Sequence, residues 1–310
     1  MARSIRIGVV IPAYDAAPWI GSCLTRLFAQ THPDWRAVVV DDGSRDGTAE
    51  VVSCFRDRRI GLIRQGNAGV SSARNRGLAQ LDADAVLFLD ADDWLAPEAL
   101  ARMAAALAAR PEAAAAWGRF ALMRADAMPG DRPLRVVRPR LAGGDTLAAL
   151  AIGNRFANGG HVLVRAKAAH RAGSFATSLC FGEDWEYWVR LALTGPFVPV
   201  AGRAPLLFVR RRAEGAYASR AADPAAFLPA LSAIYANPVM AARFPAARLA
   251  ALRRAAAAEC LWIAGRAMTG AGVADGLALL RRSVREAPSL RRVALLAALH
   301  ARAAAAGSLA

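Results

Sequence analysis

The stretch "AVLFLDADDW", residues 85–94, decides how the rest of the chain is read. Its apolar run from Ala85 to Leu89 has the length and composition of a buried strand. It then sets three carboxylates, Asp90, Asp92 and Asp93, within four positions. Two carboxylates held ~4 Å apart near a protein surface repel by about 4 kcal/mol at an effective dielectric near 20, so one proton or one cation must relieve them. A solvated turn explains such a cluster when it stands alone, but here other strands end in the same way.

"IRIGVVIPAY" (5–14), "RAVVVDDGS" (36–44) and "IGLIRQ" (60–65) read as further buried strands, the second stopping at Asp41 and Asp42. Helical stretches separate them: about 18–30, with Ile20, Leu24 and Leu27 at helical spacing, then 46–55 and 71–81. Strands alternating with helices at this spacing predict an α/β fold with a mostly parallel open sheet flanked by helices. Ligands of such sheets sit beyond the carboxyl ends of the strands, so the Asp41/Asp42 pair and the Asp90 cluster are expected to face one crevice. A hard divalent cation with positions left for phosphate oxygens suits them, because Mg²⁺ is usually held by one or two carboxylates plus substrate phosphates.

The bounds are consistent with an enzyme-sized globular protein. The 310 residues are 55% hydrophobic and 21% charged, which excludes wholesale disorder and allows roughly two domains. Cys23, Cys54, Cys180 and Cys260 show no metal-ligand or disulfide spacing and are expected to be packing residues in a reducing compartment. The sequence shows neither a membrane-span pattern nor a secretory leader pattern, so a cytoplasmic protein is expected, at most peripheral on the cytoplasmic face of the inner membrane. Charge is uneven. The first 100 residues carry 11 arginines against 13 acids, and the remainder 29 basic residues against 12 acids. That basic remainder fits anionic membranes, phosphorylated acceptors or nucleic acid, or simply solvated arginines on Ala-rich helices. The acidic first hundred residues would repel phosphate without a cation, so no nucleic acid partner is expected.

Five motifs carry a family resemblance: "VVIPAYDA" (9–16), "VVVDDGSRDGT" (38–48), "NAGVSSARNRGL" (67–78), "FLDADD" (88–93) and "GEDWEYWVRL" (182–191). In order and spacing they resemble the family 2 glycosyltransferases over roughly residues 5–220. The resemblance implies a GT-A fold, with residues 1–110 as a nucleotide-sugar-binding half and 111–220 as an acceptor-binding half. It also implies an inverting transfer from a nucleoside-diphosphate sugar, with Mn²⁺ or Mg²⁺. Carried over by position, Pro12, Ala13 and Tyr14 would line the base and ribose pocket, and Asp42, or Asp41 beside it, would hydrogen-bond the base. Arg74 and Asn75 would stand near the donor, Asp90 and Ala91 near its ribose or sugar, and Asp92 on the metal. Asp184, paired with Glu183, would be the catalytic base. Trp185 is a candidate for a sugar-stacking acceptor platform with Tyr187 and Trp188, and His161 for the acceptor or donor-sugar pocket.

The chain also departs from the family pattern. Where many relatives carry a histidine near the metal or diphosphate, this chain reads "VRRR" (209–212), so that Arg212 either pairs with the diphosphate or belongs to a surface loop. No QxxRW segment of the processive synthases is present, which predicts one sugar per encounter. Residues 120–160 offer no legible motif. Beyond about residue 220, three Ala/Arg-rich helices are expected at 247–268, 272–288 and 289–306, with Ser289 as an N-cap. They form a helical appendage (221–310), whose arginines are a candidate for contact with anionic lipid near a glycan or lipid-linked acceptor. Two other classes compete. A nucleotidyltransferase would need a glycine-rich basic loop that "IPAYDAAPW" (11–19) lacks, and a non-catalytic membrane or nucleic-acid binder rests on charge alone.

Overall fold

The computed structural model describes residues 4–141, 145–212, 220–268 and 273–305. The chain divides into two compact units, one of Met1–Thr146 with Arg155–Arg211 and one of Leu147–Asn154 with Arg212–Ala310.

The first unit is built on β1 (Ile7–Ala13), whose seven residues are all buried. Parallel neighbours flank it: β2 (Trp35–Asp41), in register from Ile7↔Trp35 to Ala13↔Asp41, and β4 (Ala85–Phe88), in register from Ile7↔Ala85 to Val10↔Phe88. Burial on both faces explains why these strands read as continuous apolar runs. β3 (Ile60–Arg64) closes one edge. On the other side come β9 (Val162–Arg165), antiparallel to both its neighbours, then β6 (Ala115–Trp117) and β10 (Phe197–Pro199). The seven-stranded sheet is therefore mostly parallel, and it runs across residue 110 as one body. Helices α1 (Ala17–Phe28), α2 (Thr48–Ser53), α3 (Val70–Ala79), α4 (Ala99–Ala108), α6 (Ala166–Ala172) and α7 (Glu183–Ala192) flank it, and the short helix α5 (Thr146–Ile152) belongs almost wholly to the second unit.

A second sheet of four strands, in the order β5-β11-β7-β8, collects segments far apart in sequence. They are β5 (Trp94–Leu95), β11 (Leu207–Arg210), β7 (Phe120–Met123) and β8 (Arg135–Val137). β5 begins immediately after Asp93, so this sheet fixes the far side of the acidic turn.

The second unit is helical. Helix 246–268 approaches helix 273–286 closely where a Cβ on Gly265 would lie 2.8 Å from the Gly276 carbonyl oxygen. Ser283 Oγ donates to the Ala258 carbonyl at 2.6 Å, and Trp262, Leu277 and Leu280 form a core that Leu295, Leu296 and Leu299 of helix 290–305 complete. The expected cap is present: Arg292 N–H donates to Ser289 Oγ at 3.3 Å. Cys23 and Cys260 pack inside, but Cys54 and Cys180 are exposed, which corrects the expectation that all four cysteines are packing residues.

Helix α3 lies so close to the sheet that a Cβ on Gly77 would come within 2.5 Å of Val10 Cγ1 and 3.2 Å of Val40 Cγ2. Both neighbours are buried β-branched residues with little freedom to move. Gly77→Ala is expected to destabilise the protein by about 1–3 kcal/mol in urea titration, against the usual gain of Ala in a helix; a neutral or stabilising result would refute this packing.

Candidate active site

The carboxyl ends of β1, β2 and β4 meet at one edge of the sheet, as parallel pairing requires. Pro12 and Ala13 are buried strand residues, whereas Tyr14, just past the strand, is 46% exposed. Its loop is fixed from below. Asp42 N–H donates to the Ala13 carbonyl at 2.8 Å, Asp15 N–H to Ser44 Oγ at 3.0 Å and Ala16 N–H to Thr48 Oγ1 at 2.8 Å. The two aspartates at the end of β2 have different tasks. Asp41 is fully buried, accepting from Ser44 N–H at 2.9 Å and pairing with Arg64 Nε at 2.9 Å. Asp42 accepts from Ala68 N–H, Gly69 N–H and Gln65 Nε2 at 2.9, 2.8 and 2.7 Å, so it anchors the entry to α3.

The acidic turn of residues 90–93 follows β4. Asp93 is 2% exposed, accepting from Asn158 Nδ2 at 2.5 Å and from Arg210 N–H at 2.9 Å. Burial, and then the charges of Asp92 and Asp90, push its carboxyl well above the usual carboxylate range. Arg210 sits under the turn. Its Nε donates to the Asp92 carbonyl at 2.8 Å, its Nη1 donates to the Ala125 and Ala127 carbonyls, and its guanidinium lies 4.6 Å from the Trp94 ring centroid. Asp90 and Asp92 are half-buried, and Ala91 between them is buried. Among the described residues no group of three metal-ligating side chains exists. Crowded negative charge with at most one or two accessible carboxylates fits a hard cation whose remaining ligands come from a diphosphate, and does not fit an all-protein metal cage.

Arg74 joins this turn to α7. The guanidinium, 5% exposed, donates through Nη1 to Glu183 Oε1 at 3.0 Å and through Nη2 to Asp90 Oδ1 at 3.2 Å, with Phe175 beneath it at 5.3 Å. Asn75 exchanges two hydrogen bonds with the backbone of Phe175, at 2.9 and 2.8 Å, and so clamps the segment before α7. Asp184 is half-buried in the first turn of α7, where its Oδ1 accepts from Trp185 N–H at 2.7 Å. Asp90, Glu183 and Asp184 therefore surround one cation.

Two sequence expectations are corrected here. Trp185, Tyr187 and Trp188 are all buried, so Trp185 offers no open face for a sugar. α7 carries a helical apolar face plus its neighbours, and Glu186 is absorbed by Arg190 in a two-fold ion pair. His161 is fully buried between Phe120 and Phe156 and lines no open pocket. The glycines before it serve packing: a Cβ on Gly159 would lie 2.6 Å from the Phe88 carbonyl oxygen. Of the three arginines at 210–212, the inward one is Arg210, whereas Arg212 is exposed. Sequence reading missed Asn158 and singled out Arg212 from a run in which Arg210 is the residue that braces the turn; the alternation of β11, with Phe208 paired to the inward Trp94 and Arg210 two residues on, is the signal that finds the arginine.

Ala157 N–H donates to His161 Nε2 at 3.3 Å, so the ring carries its proton on Nδ1 and donates to the Gly118 carbonyl at 2.9 Å. Burial lowers its pKa from 6.5 to about 4. The unfolded ring takes up a proton first, so this residue makes stability fall as pH drops from 6.5 toward 4. The loss is expected to be about 3 kcal/mol and absent from His161→Gln in urea titrations at about pH 7 and about pH 4; equal losses in both proteins would exclude the ring as its source. Arg74→Met leaves Asp90 and Glu183 without their shared cation. Asp90 is partly solvated, so the expected cost is about 2–3 kcal/mol; an unchanged denaturation midpoint would show that the bridge holds nothing.

Comparison with known proteins places this geometry. The model of Glycosyl transferase family 2 matches residues 8–172. Glycosyltransferase GlyA of Streptococcus pneumoniae serotype 4 is 40% identical over 92 residues, which is 29% of this chain and 13% of GlyA. The putative teichuronic acid biosynthesis glycosyltransferase TuaG of Bacillus subtilis is 31% identical over 129 residues, 41% of this chain and 51% of TuaG. The chain thus spans about half or less of these curated relatives. Among solved structures, S. aureus TarS 1-349 in complex with UDP-GlcNAc superposes with a TM-score of 0.68 at 18% identity, covering 98% of this chain and 88% of that one. The mannosyltransferase PcManGT from Pyrobaculum calidifontis, in complex with GDP-Man and Mn²⁺, gives 0.61 at 22% identity, covering 97% and 81%. These likenesses show a common mixed α/β, GT-A-like fold. With the family model covering more than half of its length, the chain belongs to glycosyl transferase family 2.

Proposed function

We propose that the protein is an inverting glycosyltransferase that moves one sugar from a nucleoside-diphosphate sugar to an acceptor hydroxyl, with Asp184 as general base. The observation that carries this is the Arg74 bridge, which brings the carboxylates at the start of α7 to the acidic turn at the sheet edge. Displacement at an anomeric carbon needs a base on one face and charge stabilisation on the other. The two acidic segments supply distinct groups for those tasks. Glu183 pairs with Arg74, and Asp184, half-buried beside it in the first turn of α7, is the carboxylate we assign to take the acceptor proton. Such assistance is worth roughly 10²–10⁴ in rate.

On the donor side, Tyr14 presents its ring from a fixed loop, beside Pro12 and Ala13, for contact with the base and ribose. Asp42 and Asp41 hold the shape of that pocket through the backbone of residues 44, 68 and 69, and a base would use their remaining acceptor capacity. Asp92, with Asp90 beside it, is the group to hold Mn²⁺ or Mg²⁺, which when bound neutralises charge growing on the leaving diphosphate. The PcManGT complex with Mn²⁺ and the TarS complex with UDP-GlcNAc support this reading by analogy of fold. A UDP-sugar donor, and a glycan or lipid-linked acceptor in surface glycan assembly, are the corresponding expectations. No helix among the described residues is long and apolar enough to cross a membrane.

Calorimetric titration with UDP, GDP and dTDP, with and without Mn²⁺, tests the donor side. One nucleotide is expected to bind with metal and to lose that binding in Asp92→Ala; no binding by any of the three would overturn the reading. Asp184→Asn is expected to keep donor affinity while turnover falls by about 10²–10⁴. Products longer than one added sugar under excess donor would refute single transfer.

A further inference from the structure

Three large apolar side chains stand exposed on one hairpin, that of β7 and β8: Met128 at 56%, Leu134 at 56% and Val136 at 40%. The same hairpin exposes Arg124, Arg132, Arg135, Arg138 and Arg140 against Asp126 and Asp131. Both acids are already engaged, Asp126 with Arg124 at 3.2 Å and Asp131 with Met128 N–H at 2.7 Å. With five arginines against two acids the surface keeps a net positive charge.

Register explains why the apolar residues gather. β8 runs antiparallel to β7 with Val136 opposite Ala121, and it is the edge strand of its sheet. Residues two apart share a face, so Leu134 and Val136 extend the apolar face of Ala121, Met123 and Trp94 outward, while Val137 turns back to the main core. Edge strands are commonly protected by charge, which accounts for the arginines and not for Leu134 and Val136 among them. An anionic polymer would likewise use the arginines and leave the apolar residues in water. A bilayer interface uses both: apolar side chains enter the headgroup and acyl boundary, and arginines meet anionic headgroups. The hairpin is also rigidly tied to the site, because the Arg210 guanidinium that holds the Ala125 and Ala127 carbonyls also holds the Asp92 carbonyl.

We propose that the β7–β8 hairpin, residues 124–140, docks the protein on an anionic lipid surface, with Met128, Leu134 and Val136 inserted and the surrounding arginines on the headgroups. This places the acidic turn near the plane in which a lipid-linked acceptor would lie. It goes beyond the transfer reaction and is read without a sugar donor, so either can fail without the other.

The test is sedimentation with vesicles of phosphatidylcholine alone and of phosphatidylcholine with phosphatidylglycerol. Binding is expected only to the anionic vesicles. Met128→Ser/Leu134→Ser/Val136→Thr should abolish it, and each of Arg132→Gln, Arg135→Gln and Arg138→Gln should weaken it roughly five-fold, with thermal melting unchanged. Hydrogen exchange of the native chain reads the same contact without substitution: slowing in 124–140 on vesicle addition supports the proposal. Slowing confined to helices 246–268, 273–286 and 290–305, equal binding to both vesicle types, binding indifferent to the apolar substitutions, or no binding would each overturn it.

Discussion

Arg74 is a guanidinium almost without water, held between Asp90 at the end of β4 and Glu183 at the start of α7. Burial disfavours its charge, yet those carboxylates, with Asp184 beside them, raise its affinity for a proton beyond the ordinary value. The cation and the acids stabilise one another and neither side is tolerable alone. Since Asp90 and Glu183 come from segments 93 positions apart in sequence, this contact sets where the start of α7 stands relative to the sheet edge. Asn75, the next residue, clamps Phe175, so one turn of α3 holds both the helix and the chain leading into it.

The remaining acids of the edge are handled by different means. Asp42 is solvated by backbone N–H groups, Asp41 by a backbone N–H and Arg64, and Asp93 by Asn158 and the Arg210 N–H while its carboxyl favours the protonated form. Asp92 sits in the same turn with its carbonyl fixed by Arg210.

β1, β2 and β4 were legible because they are almost wholly buried apolar runs beside motif residues, and the half-exposed edge strand β3 also falls where its apolar run predicts it. The second sheet was not, because its strands have only two to four residues, lie in no run of motifs, and pair with partners as far as 114 positions away, from Trp94 to Phe208. Side-chain direction was the other limit. Composition cannot say which arginine of 210–212 turns inward, or that Gly159 lets the chain pass Phe88 and Gly160 lets it pass Leu207, with no histidine exposed by either. Likewise "EDWEYW" mixes acids and aromatics in a way that reads as a sugar platform until packing buries all three rings.

Arg210 has a consequence for how the protein is made. During synthesis the four strands β1 to β4 emerge, with their acidic ends, 93 positions before Glu183, which faces Arg74, and 117 before Arg210, which braces the Asp92–Asp93 turn, counted from Asp90 and Asp93. Closing such long loops carries an entropic cost before any contact rewards it. Arg64 and Arg74 are made in time to pair with Asp41 and Asp90, but the Asp92–Asp93 turn lacks its Arg210 brace until the chain has passed β11. The acidic turn can therefore gain all the contacts described for it only once β11 has been made.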